Sequence, residues 1–432
     1  MRQKLLRLGA DELSYEIRGI VKKAEQLEAL GHNILMENIG DPIQKNRKLP
    51  DWIKEIIADL LNDDLTYSYS HSKGLLETRE FLADRVNKLG GTQIDPVDIT
   101  FFNGLGDAIQ KLYQYLIPTS RIIGPSPSYS THSSAEAAHA NSHPITYKLD
   151  PENNWYPDID DLRMKVKYND SIVGIMVINP DNPTGMVYPK SILEQIVEIA
   201  REFNLFLIFD EIYMNIVYNG AERCTLAEVV GDVPGISLKG ISKEFPWPGG
   251  RCGWAEYYNR SSEPEFERLC ETIDNSKMIE VSSTKLPQLA IPRIMKDPRY
   301  QGFLAQANKK IGERSKQITA AFSDIPFINF NPTNGAFYNT IIFKEDALKE
   351  GGAMHIIDDK VKSLLGSWLN NDVKPDQRFV YYLLAAKNVC VVPISSFASD
   401  LQGFRITLLE EDPNQLKTIL LRIREGIIEY CK

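Results

Sequence analysis

The sequence predicts an α/β protein with a large domain, whose mostly parallel sheet is sandwiched by helices, and a smaller α+β domain. Three observations predict it. Residues 171–213 read as a buried strand (SIVGIMVIN), a turn, an amphipathic helix (KSILEQIVEIAREFN) and a second buried strand (LFLIFDEIY). Wholly apolar strands joined by a helix belong to parallel sheets covered on both faces, and the crossover is right-handed in nearly all cases. DITFFNG and LGDAIQKLYQYLIP add a strand, a glycine turn and a helix. Beyond residue 322 the pattern changes to strand–turn–strand (INFNPTNGAFYNTIIF), then helices interleaved with strands, as in an α+β unit. The expected division is 56–314 for the large domain, with 1–55 and 315–432 forming a discontinuous small one. The early helix precedes the α/β core and is expected to pack on the later unit.

Composition sets limits on function. The chain has 432 residues, 43% of them hydrophobic and 25% charged, enough for a large core. A net charge of −9 argues against nucleic acid or an acidic membrane surface as the partner. Five cysteines (224, 252, 270, 390, 431) show no CxxC spacing, and no HExxH occurs. That pattern favours reduced thiols in a cytoplasm over a disulfide framework, and it points to no metal site. The stretch MRQKLLRLGADELSYEIRG lacks the apolar core of a signal peptide. No apolar run reaches membrane-spanning length.

The elements follow in order. Residues 14–31 carry Ile17, Ile20, Val21, Ala24, Leu27 and Leu30 at helical spacing, with Gly31 as the stop. NILMENIGDPI is extended and ends in a turn, where Gly40 reads as a turn glycine. NDDLTYSYSHSKG (62–74) is an aperiodic loop, and LLETREFLADRVNKLG a helix. RIIGPSPSYS (121–130) reads as a strand and a proline-punctuated loop. Two helical stretches, 263–279 and 286–322, follow the large sheet. Residues 345–378 are charged, with a helix in HIIDDKVKSLLGSWLNN. GFRITLL is a strand and PNQLKTILLRIREGIIEY the last helix.

Several residues suit a shared ligand. SLKGISKEFPWPGGRCGW is a glycine- and proline-rich loop that holds Lys243 and Arg251 eight residues apart. A desolvated amine forms a Schiff base with a carbonyl, and a guanidinium grips a phosphate. Pyridoxal 5'-phosphate carries both groups. The strand–turn–helix joint Gly104-Leu105-Gly106 offers free amides to an anion. GLGDAI also matches half of a dinucleotide fingerprint, but Ile109 stands where glycine or alanine would. Asp107 beside that anion has to point away. Tyr129 is either a loop aromatic or a face stacked on a planar ring. Asn182 follows one buried strand and Asp210 ends the next, where open α/β sheets place ligands. Asp210 follows five apolar residues and needs a cationic or hydrogen-bonding partner, from the protein or from a cofactor.

With these residues in view, the chain resembles the class I/II aminotransferase family of fold-type I pyridoxal-phosphate transferases. The resemblance runs over nearly the whole chain, in order, through YSYSHSKGLLETR, NGLGDAI, PSPSY, NPDNPTG, FDEIY, SKEFPWPGGRCGW, NGAFY and FRITL. EIRGIVKKAEQLEALGH and NPTGMVYPKSILEQIVEIA are similar to the bacterial alanine aminotransferase branch. The resemblance implies that Lys243 holds the cofactor and then moves a proton. It implies that Asp210 pairs with the ring nitrogen, and that Tyr213 and Asn182 hydrogen-bond the ring oxygen. Arg251, Ser242 and the amides of Gly104, Leu105 and Gly106 would hold the phosphate, and Tyr129 would stack on the ring. Arg405 would grip the substrate α-carboxylate, with Gly40 close by. Tyr69, rather than Tyr67, would reach the neighbouring subunit's phosphate, which implies a homodimer. Substrates would be an α-amino acid and a 2-oxo acid in a ping-pong exchange, with alanine and 2-oxoglutarate suggested by the branch. A carbon–sulfur lyase, or an elimination of the aminocyclopropane carboxylate synthase type, would use the same site.

The chain departs from the family pattern at three places. Gly240 stands where a serine is frequent, and the phosphate turn has glycine where a hydroxyl residue is frequent. Both suggest a weaker phosphate grip. The region MIEVSST lacks the arginine of dicarboxylate specialists, and Glu280 there is expected to repel a second carboxylate.

Overall fold

The structure, a computed structural model, describes residues 5–13, 17–349, 351–369 and 372–432. Its strands in chain order are β1 (Leu35–Met36), β2 (Ile99–Phe102), β3 (Arg121–Ser126), β4 (Thr146–Asp150), β5 (Tyr156–Pro157), β6 (Ile172–Ile178), β7 (Phe206–Asp210), β8 (Gly235–Gly240) and β9 (Gly253–Tyr258). Then come β10 (Ile328–Phe330), β11 (Tyr338–Phe343), β12 (Val389–Cys390), β13 (Val392–Pro393) and β14 (Gly403–Thr407). Eight of them form one sheet in the order β2-β9-β8-β7-β6-β3-β4-β5. The run β8-β7-β6-β3-β4 is parallel throughout, and β9 lies antiparallel to both β8 and β2.

Alternation along β6 and β7 explains why both faces are covered. Ile175, Val177, Leu207 and Phe209 join one apolar cluster, which includes Leu193, Ile196 and Ile199 of the helix Lys190–Glu202. Met176 and Ile208 join another, with Ile109 and Leu112 of the helix Leu105–Gln114 and Cys270 and Ile273 of the helix Pro264–Glu280. Side chains two residues apart share a face, so a strand apolar at every position has to be packed on both sides.

A second sheet, β10-β11-β14-β13, is antiparallel. Its cluster includes Ile20, Ala24 and Leu27 of the helix Ile17–Glu28, as expected for the early helix. β1 pairs in parallel with β12, Leu35 opposite Val389, which ties the start of the chain to its end. Among the described residues no helix is long and apolar enough to cross a membrane.

Some elements differ from the expectation. Leu30 lies beyond the early helix and is exposed, and residues 14–16 of the expected helix lie outside the described residues. The expected helix 286–322 is two, Lys285–Lys296 and Arg299–Phe322. Pro298 forces Asp297 into an extended conformation and breaks the run. The loop after β3 contains a helix, Ser130–Ala140, that sequence periodicity does not show. Within 345–378, the helix Asp359–Trp368 leans on the early helix: Trp368 Nε1 donates to Gln26 Oε1 at 2.9 Å.

Candidate active site

Parallel pairing brings the C-terminal ends of β2, β3, β6, β7 and β8 to one side of the sheet. Gly104 follows β2, Tyr129 follows β3, Asn182 follows β6, Asp210 ends β7, and Ser242 and Lys243 follow β8. All of these but Gly104 line a cleft of about 500 Å³, whose other wall comes from Asn38, Ile39, Gly40, Asp41, Gln44, Tyr338 and Arg405. Of the residues expected at a site, Gly40, Leu105, Gly106, Tyr129, Asn182, Asp210, Tyr213, Ser242, Lys243, Arg251 and Arg405 all line this one cleft.

Lys243 Nζ donates to the Gly40 carbonyl oxygen at 2.7 Å, and lies near the rings of Tyr213 and Phe337. Gly40 is therefore more than a turn glycine. A Cβ there would stand 2.3 Å from Tyr338 Oη, so a side chain would push this wall away. The wall itself is pinned. Lys45 Nζ donates to Glu37 Oε1 at 2.6 Å and to Glu410 Oε2 at 3.1 Å, and Thr407 Oγ1 donates to Glu37 Oε2 at 2.9 Å. Burial pushes the Glu37 carboxyl up, with Lys45 opposing the shift.

Asp210 is 3% exposed, and both carboxylate oxygens have partners: His132 Nε2 at 2.9 Å from Oδ2, and the Ile212 amide at 3.1 Å from Oδ1. The partner its burial demands is thus His132, a residue the sequence reading left unassigned. The available signal was its place three residues after Tyr129 in PSPSYSTH. Tyr129 is half-buried, and its ring meets His132 edge-on at 6.2 Å.

Tyr213 Oη lies 2.9 Å from Tyr338 Oη, and burial together with Tyr338 pushes its phenol well above the ordinary value. Arg405 is 3% exposed. Its Nη1 donates to Asn182 Oδ1 at 3.2 Å and its Nη2 to the Asn38 carbonyl at 2.7 Å. Tyr338 and Phe397 lie 4.4 and 5.1 Å from its guanidinium carbon, and its buried Nε has no partner among the described residues.

Arg251 sits in a left-handed conformation (φ 45°) beside the start of the helix Leu105–Gln114. Gly104 (φ 85°) allows this approach, since a Cβ there would stand 2.5 Å from Arg251 Nη2. The Leu105 and Gly106 amides open that helix and have no carbonyl one turn earlier to bond. Asp107 points away as required: it accepts from the Asn103 amide at 3.1 Å and meets Lys277 at 3.2 Å and Lys111 at 3.7 Å.

Two expectations need correction. Gly240 does not line the cleft, and a Cβ there would stand 3.0 Å from the Cys252 carbonyl oxygen and from Ile212 Cδ1. Gly240 is half-buried and lines a separate cavity with Lys239, Glu244 and Trp254. Glu280 is held by Lys277 at 2.5 Å, by Lys111 at 3.4 Å and by Asn103, so its charge is already answered within this chain. Tyr69, expected at a neighbouring subunit's phosphate, is 80% exposed and lies outside its own chain's cleft, while Tyr67 donates its hydroxyl to the Leu61 carbonyl at 2.9 Å.

The profile of the family "Aminotransferase class I and II" matches residues 36–423. The chain belongs to that family. An uncharacterized aminotransferase of Methanocaldococcus jannaschii is 53% identical over 432 residues, the whole of both chains. The glutamate–pyruvate aminotransferase AlaA of Escherichia coli is 35% identical over 247 residues, 56% of this chain and 60% of that protein. Among solved structures, the alanine aminotransferase of Pyrococcus furiosus superposes with a TM-score of 0.84 at 29% identity, over 98% of this chain and all of that one.

This aminotransferase therefore uses pyridoxal 5'-phosphate, and the residues present fit that group. An amine, a histidine-braced carboxylate and a guanidinium share one cleft. Gly104 keeps free the space beside Arg251 that any Cβ would fill, and the buried Arg405 Nε still awaits an acceptor.

Proposed function

We propose that the enzyme exchanges the amino group of a small neutral amino acid, alanine in the first place, with 2-oxoglutarate or pyruvate. What supports this reading is the convergence of Lys243, Asp210 and Arg405 on a single cleft. Pyridoxal phosphate, when bound, supplies an electron sink for the pair left at the substrate Cα. Arg405 forks the α-carboxylate and so fixes which bond at Cα meets Lys243. Lys243 Nζ takes the Cα proton and, in the reverse half-reaction, returns it there. Asp210, braced by His132, favours a proton on the ring nitrogen. Asn182 and Tyr213 hold the ring oxygen, and Tyr129 covers the ring face. Arg251, Ser242 and the helix-start amides of Leu105 and Gly106 hold the phosphate; the Gly104 amide, expected to join them, donates to the Phe102 carbonyl at 2.9 Å instead.

The donor choice rests on the alanine-directed relatives and on charge. Lys243, Arg251 and Arg405 are the cations lining the cleft among the described residues, and each is committed. A donor with a second carboxylate would need a cation from outside this chain. We place that outside contribution in a homodimer. Leu65, Tyr67, Tyr69, Met278, Ile279 and Val281 are large, exposed and close together, since Lys285 reaches from the second stretch to Ser68 at 2.6 Å. Tyr67 is tied to its own chain, which favours Tyr69 as the residue offered to the partner's phosphate. The two apolar clusters support a large unit and a discontinuous small one, with bounds other than 55/56 and 314/315: the first cuts the helix Asp51–Leu60, whose Ile53 and Leu60 lie in the large cluster, and the second cuts the helix Arg299–Phe322. Five free, buried cysteines support a cytoplasmic setting.

The test is a half-reaction without acceptor. Alanine alone should convert the bound cofactor to its amine form once per site, without ammonia. Ammonia released over many turnovers, with the cofactor unchanged, would instead mean elimination. Lys243→Ala should abolish the conversion, and Arg405→Ala should raise the alanine concentration needed by about a hundredfold.

A further inference from the structure

Tyr338 belongs to NGAFY and has no role in the reading above. It opens β11, where Thr340 pairs with Arg405 and Tyr338 with Thr407. Residues paired across antiparallel strands, and those two apart along one, share a face, so Tyr338 and Arg405 are diagonal neighbours. Its ring lies 4.4 Å from the Arg405 guanidinium carbon, and its hydroxyl 2.9 Å from that of Tyr213. Both tyrosines are almost fully buried, and Gly40 packs directly against the Tyr338 hydroxyl. One side chain thus touches the cofactor wall, the carboxylate clamp and the N-terminal wall.

A phenol has one proton to give and lone pairs to receive with. In the proposed site Tyr213 gives its proton to the ring oxygen of the cofactor, so the Tyr213–Tyr338 bond needs Tyr338 as donor. We propose that Tyr338 is a positioning residue that donates to Tyr213 Oη, strengthening Tyr213 as the donor to the cofactor oxygen, while its ring face carries Arg405. This rests on the site proposed above. Hydrogen bonds in a chain polarise one another, most in a dry site. A stronger donor at the ring oxygen competes with the proton that the Lys243–cofactor linkage shares with that oxygen. The linkage should therefore lose its proton at a lower pH than it would without Tyr338.

The experiment separates the two layers. Borohydride reduction of the loaded wild type, followed by peptide mass spectrometry, should find the cofactor on Lys243. Failure there overturns the site reading itself. With that established, absorbance of the linkage is titrated against pH in the wild type, Tyr338→Phe, Tyr213→Phe and the double variant. Tyr338→Phe should raise the midpoint by about one pH unit. The double variant should match Tyr213→Phe alone, because Tyr338 acts through Tyr213. The KM for alanine should change less than about threefold in Tyr338→Phe, which keeps the ring, and rise at least about tenfold in Tyr338→Leu, which loses it. An unmoved midpoint in Tyr338→Phe, or additive shifts in the double variant, overturns the proposal. The Phe variant decides even if the Leu variant does not fold.

Discussion

Burial decides how individual residues behave here. Arg405 keeps its charge inside the protein because two carbonyl-type oxygens accept from it and two aromatic faces flank it. In the proposed site a substrate carboxylate would meet a guanidinium that is already desolvated. Asp181, next to the clamp's Asn182, shows the opposite case. Burial pushes its carboxyl up to about 7, the nearby Asp210 adds to this, and hydrogen bonds from Thr184 oppose it. Unfolded, such a group ionises near pH 3.9. Between about pH 4 and 7 the folded chain holds a proton that the unfolded chain has lost, so stability falls as pH rises through that window and levels off above it. Asp181→Asn keeps an acceptor for Thr184 and cannot ionise. Going from pH 5 to pH 8, the variant should lose less stability than the wild type, by on the order of 3 kcal/mol. Equal losses in urea titrations at the two pH values would refute this. Lys243 and Asp210 were legible in the sequence because each sits in a short stretch with local chemistry, and Arg405 was reached only through the family resemblance of FRITL. His132 and Tyr338 were not, because their meaning lies in partners 78 and 125 residues away.

At the scale of elements, the site depends on how closely two pieces of backbone approach. The turn after β2 brings a helix start against Arg251, and glycine at 104 is what lets it. Gly104→Ala should weaken cofactor binding at least about tenfold, or ~1.4 kcal/mol, as the Cβ displaces the guanidinium. Equilibrium dialysis measures this, and an unchanged dissociation constant would show that the contact does not matter. The βαβ core was legible because apolar period and length agree there. The helix Ser130–Ala140 was hidden for a physical reason. It buries Ser130, His132, Glu136 and His139, and the Glu136 carboxylate is paired with Arg121. A helix packed through polar groups leaves no apolar stripe to read. The break at Pro298 was a local signal that helical periodicity on both sides masked.

At the scale of the molecule, the exposed apolar patch around Ile279 needs covering. Ile279 is 87% exposed at the end of the helix Pro264–Glu280, so a charge there costs the single chain little. Ile279→Glu should turn a dimer into monomers in sedimentation velocity and loosen the cofactor, while a monomeric wild type would rule out the proposed second copy. The overall architecture was legible because two kinds of apolar pattern occupy two stretches of chain. What the stretch 345–378 does was not, since its contacts, among them Gln26, Glu429 and Lys432, lie near the two ends of the chain. The Arg405–Asn38 hydrogen bond, which spans 367 residues, carries a further consequence. On a ribosome the large sheet can assemble while Asn38 still waits for the strand that carries Arg405. The cleft is thus among the last things a growing chain completes, and a polypeptide released before β14 would carry Lys243 and Asp210 in a sheet without the proposed Arg405 clamp.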